Sequence, residues 1–160
     1  MKNFFKNIYV KNILSALAIV VFGFILLNAA FIFDALYQTI LDRIIGVFVK
    51  TDMNTTWRWI FPLRHGSFIA ILLLLSWFIF RSKISNLYKA IYLPVPLAAV
   101  YLTMGIFLYR WQIASLSLGS LFFLGVLYYF YRTKQPWLFY FSLIFVSLMM
   151  LFVGIFNVDI

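Results

Sequence analysis

Five long stretches that are almost free of charged residues constrain this chain more than any other feature of its sequence. The first of them, residues 13–33, contains no charged residue at all. A helix needs about 20 predominantly apolar residues to cross a hydrocarbon core about 30 Å thick, and in lipid a helix satisfies its own backbone hydrogen bonds. The stretches at 13–33, 60–80, 90–109, 113–131 and 137–156 have the required length. The sequence therefore predicts an all-α integral membrane protein with five transmembrane helices.

The composition excludes an ordinary soluble domain. Of the 160 residues, 66% are hydrophobic and 11% are charged, whereas a soluble domain is about half apolar and about a quarter charged. A chain of this length cannot bury so much apolar surface inside itself, so residues 1–160 are predicted to form a single transmembrane domain. The sequence has no cysteine, which excludes disulfides, thiolate metal ligands and cysteine nucleophiles.

The basic residues predict an orientation in the membrane. With the N-terminus inside, the inner segments hold eight basic residues and no acidic one: Lys2, Lys6, Lys11, Arg81, Lys83, Lys89, Arg132 and Lys134. The outer segments hold five basic residues and all four acids: Arg43, Lys50, Arg58, Arg64 and Arg110, with Asp34, Asp42, Asp52 and Asp159. Because short cytoplasmic loops carry the excess of Lys and Arg, we expect a plasma or cytoplasmic membrane protein with a cytoplasmic N-terminus and an extracytoplasmic C-terminus. The net charge of +9 then reflects topology and attraction to anionic lipids, and no nucleic-acid partner is expected.

Residues 35–50, between the first and second spans, have a helical pattern of their own. Polar positions recur every three to four residues among Leu, Ile, Val and Phe, which is typical of an amphipathic helix. We expect an extracytoplasmic amphipathic helix that lies on the membrane surface or packs over the bundle. No proline separates this segment from the first span, so it could instead continue that helix.

The second span reaches its full length only by including two polar residues. Counting about 20 residues outward from Arg81 leaves Arg64 and His65 roughly 5 Å inside the outer hydrocarbon boundary. The same count along the first span brings Asp34 to a similar height. The sequence therefore predicts that a carboxylate lies beside Arg64 and His65 at the edge of the membrane.

Asp42 and Arg43 follow on the same outer segment and complete a candidate polar cluster, which we define as Asp34, Asp42, Arg43, Arg64 and His65. One interpretation is a structural salt bridge with an arginine that extends toward the membrane surface. The other is a substrate or lipid-headgroup site at the outer leaflet. The sequence leaves both open.

A second group of residues is predicted to serve helix packing. Asn28 is expected to form a hydrogen bond between helices, and Ser115 and Gly119 form a small-xxx-small pair suited to close packing within the bundle or between protomers. Pro94 and Pro96 lie near the inner end of the third span, where a proline frees a backbone carbonyl and permits a kink. We expect a bent helix, with a hinge as the alternative.

The function is less constrained than the fold. No ionisable residue lies near the middle of a span, although proton relays and ion-coupled sites usually need one, and no catalytic or metal-binding motif is present. The first hypothesis is therefore a non-catalytic accessory, assembly or regulatory component, with membrane lipids and either a partner subunit or further copies of itself as partners, and with no cofactor or metal. The second is an oligomeric small transporter, channel or lipid-binding protein that uses the polar cluster. The third is an intramembrane lipid-modifying enzyme with His65 and Asp34 or Asp42 as acid and base.

Overall fold

The computed structural model describes residues 8–48, 53–108 and 110–156. These residues form helices and short connections with no strand among them, and 91% of the structure is helical. The described helices are α1 (Ile8–Phe48), α2 (Met53–Arg81), α3 (Asn86–Tyr92), α4 (Pro94–Phe107), α5 (Gln112–Arg132) and α6 (Trp137–Phe156).

Five helical segments are long and apolar enough to cross a membrane, namely Ile8–Gly46, Pro62–Arg81, Asn86–Phe107, Gln112–Arg132 and Trp137–Gly154. The third of them combines α3 and α4. Many of their large apolar side chains are exposed on the chain, as at Ile113 (83%) and Leu121 (65%). Exposed apolar surfaces of this extent are typical of faces that contact lipid or other helices. The prediction of an all-helical protein with five potential spans is confirmed, and the fold is consistent with an integral membrane protein.

The segment after the first predicted span does not form a separate helix. Residues 35–48 continue α1, which has 41 residues and is therefore about 62 Å long. A continuous helix was the alternative to a separate amphipathic helix, because no proline separates residues 35–50 from the first span. The last two residues of the predicted amphipathic helix, 49 and 50, lie outside the described residues.

The third predicted span is divided at Leu93 into α3 and α4. Pro94 takes the first position of α4, where a proline is tolerated because that N–H has no intrahelical partner. Leu93 itself has right-handed helical angles, φ −52° and ψ −35°, and its N–H donates to the Lys89 carbonyl at 2.9 Å. The backbone therefore follows a helical path through the junction, although the ladder of hydrogen bonds is interrupted there.

The chain divides into two compact units, of which the first comprises the described residues among 1–27 and 83–160. Its centre is the Asn86–Phe107 segment, where 44% of the apolar window is buried, against 6% for α5. The chain from α3 into α4 runs in the same direction as α6, since Ala90 of α3 lies next to Ser142 and Tyr101 of α4 lies next to Ser147. The fully or almost fully buried apolar side chains of this unit include Ile19, Val95, Leu97, Ala98, Leu143 and Val146.

Part of α1 packs closely on the junction between α3 and α4. Ile19 and Gly23, one turn apart on α1, are buried. A Cβ added to Gly23 would lie 3.1 Å from Pro94 Cγ and 3.4 Å from the Ile91 carbonyl oxygen. The absence of a side chain at Gly23 therefore allows a close approach of α1 to this junction, which is a common use of glycine between membrane helices.

The second unit, residues 28–82, contains the last part of α1 and all of the described α2. Phe33 and Phe68 lie in ring contact at 6.3 Å, and Tyr37 is hydrogen-bonded to Ser67. Asp42 then pairs with an earlier residue of α2. As residue numbers rise on α1 they fall on α2, so these two segments form an antiparallel hairpin that carries the predicted polar cluster.

Candidate functional site

The charged contact of the second unit joins Arg64 of α2 to Asp42 of α1. Arg64 Nη1 lies 2.5 Å from each carboxylate oxygen of Asp42. The Arg64 side chain is 13% exposed and that of Asp42 is 50% exposed. Water therefore reaches the Asp42 carboxylate but little of the Arg64 guanidinium. The guanidinium depends on Asp42 to compensate its charge.

A chain of hydroxyl groups lies one turn further along the same helix interface. Tyr37 Oη donates to Ser67 Oγ at 2.9 Å, and Ser67 Oγ donates to the backbone carbonyl of Arg64 at 2.9 Å. The ring of Tyr37 also contacts Phe68, with centroids 6.1 Å apart. The tyrosine therefore contributes both an apolar and a polar contact to the hairpin.

Asp34 has a different environment from the one that the sequence predicted. Its Oδ2 accepts a hydrogen bond from Gln38 Nε2 at 2.8 Å, one turn along α1. Its Oδ1 is buried and has no hydrogen-bond partner in the described part of the chain. The same holds for Arg64 Nε. The hairpin thus contains one buried acceptor and one buried donor whose bonding capacity is unused.

The carboxylate that pairs with Arg64 is therefore Asp42 and not Asp34. The two aspartates are two turns apart, about 12 Å along α1. The prediction assumed that both helices stand perpendicular to the membrane, so that equal numbers of residues reach equal depths. A tilted helix needs more residues to reach the same depth, which brings a later residue of α1 level with Arg64. Of the other members of the polar cluster, His65 is buried, with 9% exposure, and Arg43 is exposed.

The residues predicted to serve packing are distributed over both units. Gly119 of α5 faces Tyr101 of α4, since an added Cβ would lie 3.6 Å from the tyrosine ring. This glycine therefore packs within the chain, while Ser115 is half-buried one turn earlier on α5. Pro94 and Pro96 are buried in the first turn of α4. Asn28 is exposed on α1.

The sequence did not predict the polar contact that follows from Pro94. In an unbroken helix the N–H of residue 94 would donate to the carbonyl of Ala90, and proline has no N–H. Ser142 Oγ of α6 donates to that carbonyl instead, at 2.6 Å, and Ser142 is fully buried. Pro94 was the signal that a carbonyl is free, but a donor 52 residues away cannot be identified from one sequence.

A second unpredicted contact joins α4 to α6. Tyr101 Oη and Ser147 Oγ lie 2.8 Å apart in a hydrogen bond. The Tyr101 ring meets Phe122 of α5 edge-on, with centroids 5.2 Å apart. One side chain thus connects three helices of the first unit.

These polar groups connect helices to one another. Among the residues that the structure describes, no group of three or more His, Cys, Asp or Glu side chains could hold a metal ion. No family model matches the chain, and no curated protein or solved structure matches it at a significant level. The function has to be inferred from the contacts themselves.

Proposed function

We propose that this protein is a non-catalytic accessory, assembly or regulatory component of a membrane complex. Residues 1–160 form one transmembrane domain with five spans, a cytoplasmic N-terminus and an extracytoplasmic C-terminus in the plasma or cytoplasmic membrane. Membrane lipids surround it, and its further partners are other membrane helices, either of a partner subunit or of a second copy.

The observation that supports this proposal is a set of three hydrogen bonds from buried or part-buried hydroxyl groups. Ser142 bonds a carbonyl of α3, Tyr101 bonds Ser147, and Tyr37 bonds Ser67. Each of these bonds joins two helices, as interhelical hydrogen bonds do in membrane proteins in general. Hydroxyl groups engaged in this way hold a scaffold together and are not presented to a substrate.

The same bundle leaves long apolar faces for other helices. On α5, Leu121 and Leu124 are 65% and 57% exposed, and Leu148 on α6 is 63% exposed. In a membrane these faces meet either lipid tails or helices of a partner. An assembly component of this kind needs such a face, because little of its chain lies outside the proposed spans and a partner would have to be bound by the spans themselves.

Site-specific photo-crosslinking in the native membrane tests this function. A photoreactive amino acid at Leu121 or Leu148 is expected to give a crosslinked protein of defined larger mass, which is then identified by mass spectrometry. The matched control is Leu143, which is fully buried and is expected to give only crosslinks within the chain. If the purified chain runs as a lone monomer and every exposed position crosslinks only to lipid, the proposal is wrong.

The orientation is tested separately, with cysteine labels at the two ends of α5. The natural chain has no cysteine, so Gln112→Cys and Thr133→Cys each provide a single label site. In intact cells a membrane-impermeant maleimide is expected to label Gln112→Cys and to label Thr133→Cys only after permeabilisation. The reverse pattern would show that the N-terminus is outside.

A second candidate function is favoured by the unused polar atoms of the hairpin. The buried Asp34 Oδ1 and Arg64 Nε each offer one unused bonding position, an acceptor and a donor, to the polar groups of an outer-leaflet lipid headgroup or a transported solute. Buried polar groups without a partner are rare and often mark function. Asp34→Asn and Arg64→Gln would then abolish flux or lipid transfer in reconstituted vesicles. If vesicles with the unaltered protein show neither activity under any imposed gradient, this candidate is excluded.

A further inference from the structure

The end of α5 has an unusual residue at a position that normally belongs to glycine. Thr133 is the C-cap of the helix. The N–H of Lys134 donates to the Tyr131 carbonyl at 3.2 Å, and that of Gln135 donates to the Phe130 carbonyl at 3.0 Å. These two bonds define a Schellman motif, whose next residue after the cap is left-handed and usually glycine. Here that residue is Lys134, with φ 50°.

Lys134 is the only residue other than glycine with a positive φ among those that the structure describes. A Cβ in the left-handed region contacts the following carbonyl oxygen, so lysine is less stable here than glycine. The turn therefore contains a side chain that weakens it. A residue in a strained backbone conformation is a reason to look for a role of its side chain.

The charge of the first unit indicates what that role is. Its described residues contain no Asp and no Glu, while Lys83, Arg132 and Lys134 are all exposed. This part of the unit thus offers these cations no carboxylate to pair with. An anion that binds here would supply the negative charge that the described residues of this unit lack.

The three cations also lie at the same end of the unit. The Ala90–Ser142 and Tyr101–Ser147 contacts show that the chain from α3 into α4 runs parallel to α6. Lys83 precedes α3, and the turn that contains Lys134 precedes α6. Both segments therefore begin from the same end of the bundle.

Exposed aromatic residues accompany these cations. Tyr88 is 65% exposed, Tyr131 is 76% exposed and Trp137 is 43% exposed. Tyr and Trp concentrate at the level of the lipid headgroups. Their position next to the basic residues indicates that this end of the unit lies where lipid phosphates are found.

We propose that Lys134, together with Arg132 and Lys83, binds the phosphate of anionic phospholipids, and that this contact is the reason for a lysine at a glycine position. The Schellman turn fixes the backbone of Lys134 two residues after Arg132, at the end of α5. Two cations this close along the chain suit a phosphate that carries a full negative charge without a compensating ammonium. The inference rests on the placement of the chain in a membrane and is independent of the accessory role.

The test compares three substitutions at one position, because strain and charge can be separated there. Lys134→Gly removes both the charge and the strain, Lys134→Gln removes the charge alone, and Lys134→Arg keeps both. Each full-length variant is purified in an uncharged detergent. Thermal unfolding is then measured without lipid, and binding of phosphatidylglycerol and phosphatidylcholine is measured by native mass spectrometry.

Lys134→Gly is expected to unfold at a higher temperature than the natural chain and yet to bind phosphatidylglycerol about fivefold more weakly, which is the usual contribution of one basic residue near an anionic surface. Lys134→Gln is expected to show the same loss of binding without the gain in stability. Lys134→Arg is expected to bind like the natural chain. Phosphatidylcholine binding is expected to be weak and equal in all four proteins.

Arg110→Gln is the matched control. Arg110 is an exposed arginine two residues before the start of α5, whereas Arg132 and Lys134 lie at its end. It is expected to leave phosphatidylglycerol binding unchanged. The proposal is overturned if Arg110→Gln weakens binding as much as Lys134→Gln, because net charge alone would then be responsible. It is equally overturned if Lys134→Gly binds as well as the natural chain, or if millimolar inorganic phosphate displaces the lipid completely, which would identify a site for a free anion.

Discussion

Ser142→Ala gives the sharpest prediction because the affected carbonyl has no other donor within its own helix. The Ala90 carbonyl lies four residues before Pro94, which has no N–H to offer. Ser142 Oγ is its partner at 2.6 Å, and Ala90 and Ser142 are both fully buried. Removing the hydroxyl leaves an acceptor without water and without a hydrogen bond.

The expected cost follows from two general magnitudes. An unsatisfied buried polar group costs about 1–3 kcal/mol in proteins, whereas interhelical hydrogen bonds in membranes average about 0.6 kcal/mol with a maximum of about 1.7. The membrane average is low because broken bonds usually find other partners. The Ala90 carbonyl cannot do so through its own helix, so we expect a loss near the upper limit, about 1.5 kcal/mol.

The assay is a double-mutant cycle on equilibrium unfolding in mixed micelles. Pro94→Ala restores an N–H at position 94, and because Leu93 already has helical angles, that N–H can donate to the Ala90 carbonyl. Ser142→Ala is then expected to cost almost nothing in the Pro94→Ala background, which gives a coupling energy of about 1.5 kcal/mol. Pro94→Ala also loses packing against Gly23, but this loss is common to both arms of the cycle and cancels.

Two outcomes would refute the reasoning. If Ser142→Ala costs the same in both backgrounds, the hydroxyl stabilises the protein for a reason unrelated to the missing proline N–H. If it costs nothing in either background, the Ala90 carbonyl has another partner. Ser147→Ala serves as the comparison, since its bond to Tyr101 is only part-buried and its loss is expected to be close to the average of about 0.6 kcal/mol.

One close contact in each unit is tested by the same unfolding assay, each with a comparison variant. Gly23→Ala is expected to destabilise the protein by about 1 kcal/mol, since its Cβ would lie 3.1 Å from the buried Pro94 ring; Gly125→Ala, whose Cβ would meet nothing within 4 Å, is expected to be neutral or to stabilise α5 by up to about 1 kcal/mol. Equal effects at the two glycines would contradict the close approach. Asp42→Asn is expected to cost about 1 kcal/mol, because it leaves the mostly buried Arg64 without its counter-charge. The double variant Asp42→Asn with Arg64→Gln is expected to recover part of that loss, and full additivity would mean that the ion pair contributes nothing.

The five apolar segments were predictable from the sequence because a single physical requirement determines them. A membrane demands about 20 apolar residues for each crossing, and this condition can be read locally, without knowledge of any partner. The continuation of α1 through residue 48 could not be decided in this way. An amphipathic pattern fits both a separate surface helix and an extended one, and the sequence contains no proline or glycine near Asp34 to mark a break.

The contacts of the polar cluster were less predictable because they depend on how two helices align. The sequence suggested Asp34 as the carboxylate beside Arg64, whereas the structure pairs Arg64 with Asp42, two turns further along α1. Nothing local determines such an offset. Instead it results from contacts such as Tyr37 with Ser67 and Phe33 with Phe68, which only the folded hairpin brings together.

The junction at Pro94 combines the features that bear on the predicted hinge. A hinge requires few contacts across the moving point, and here Gly23 packs against the proline ring while Ser142 bonds the freed carbonyl. Bending there would break a buried hydrogen bond and open a tight interhelical approach of α1 at the same time. The proline therefore interrupts the hydrogen bonds between α3 and α4 without removing the contacts that hold the junction. The carbonyl that lacks its bond within the helix is the one that attaches α3 to α6. On this reasoning, Ser142→Ala would not only lower stability but also create the hinge, and faster amide exchange confined to α3 and the first turn of α4 would be its signature.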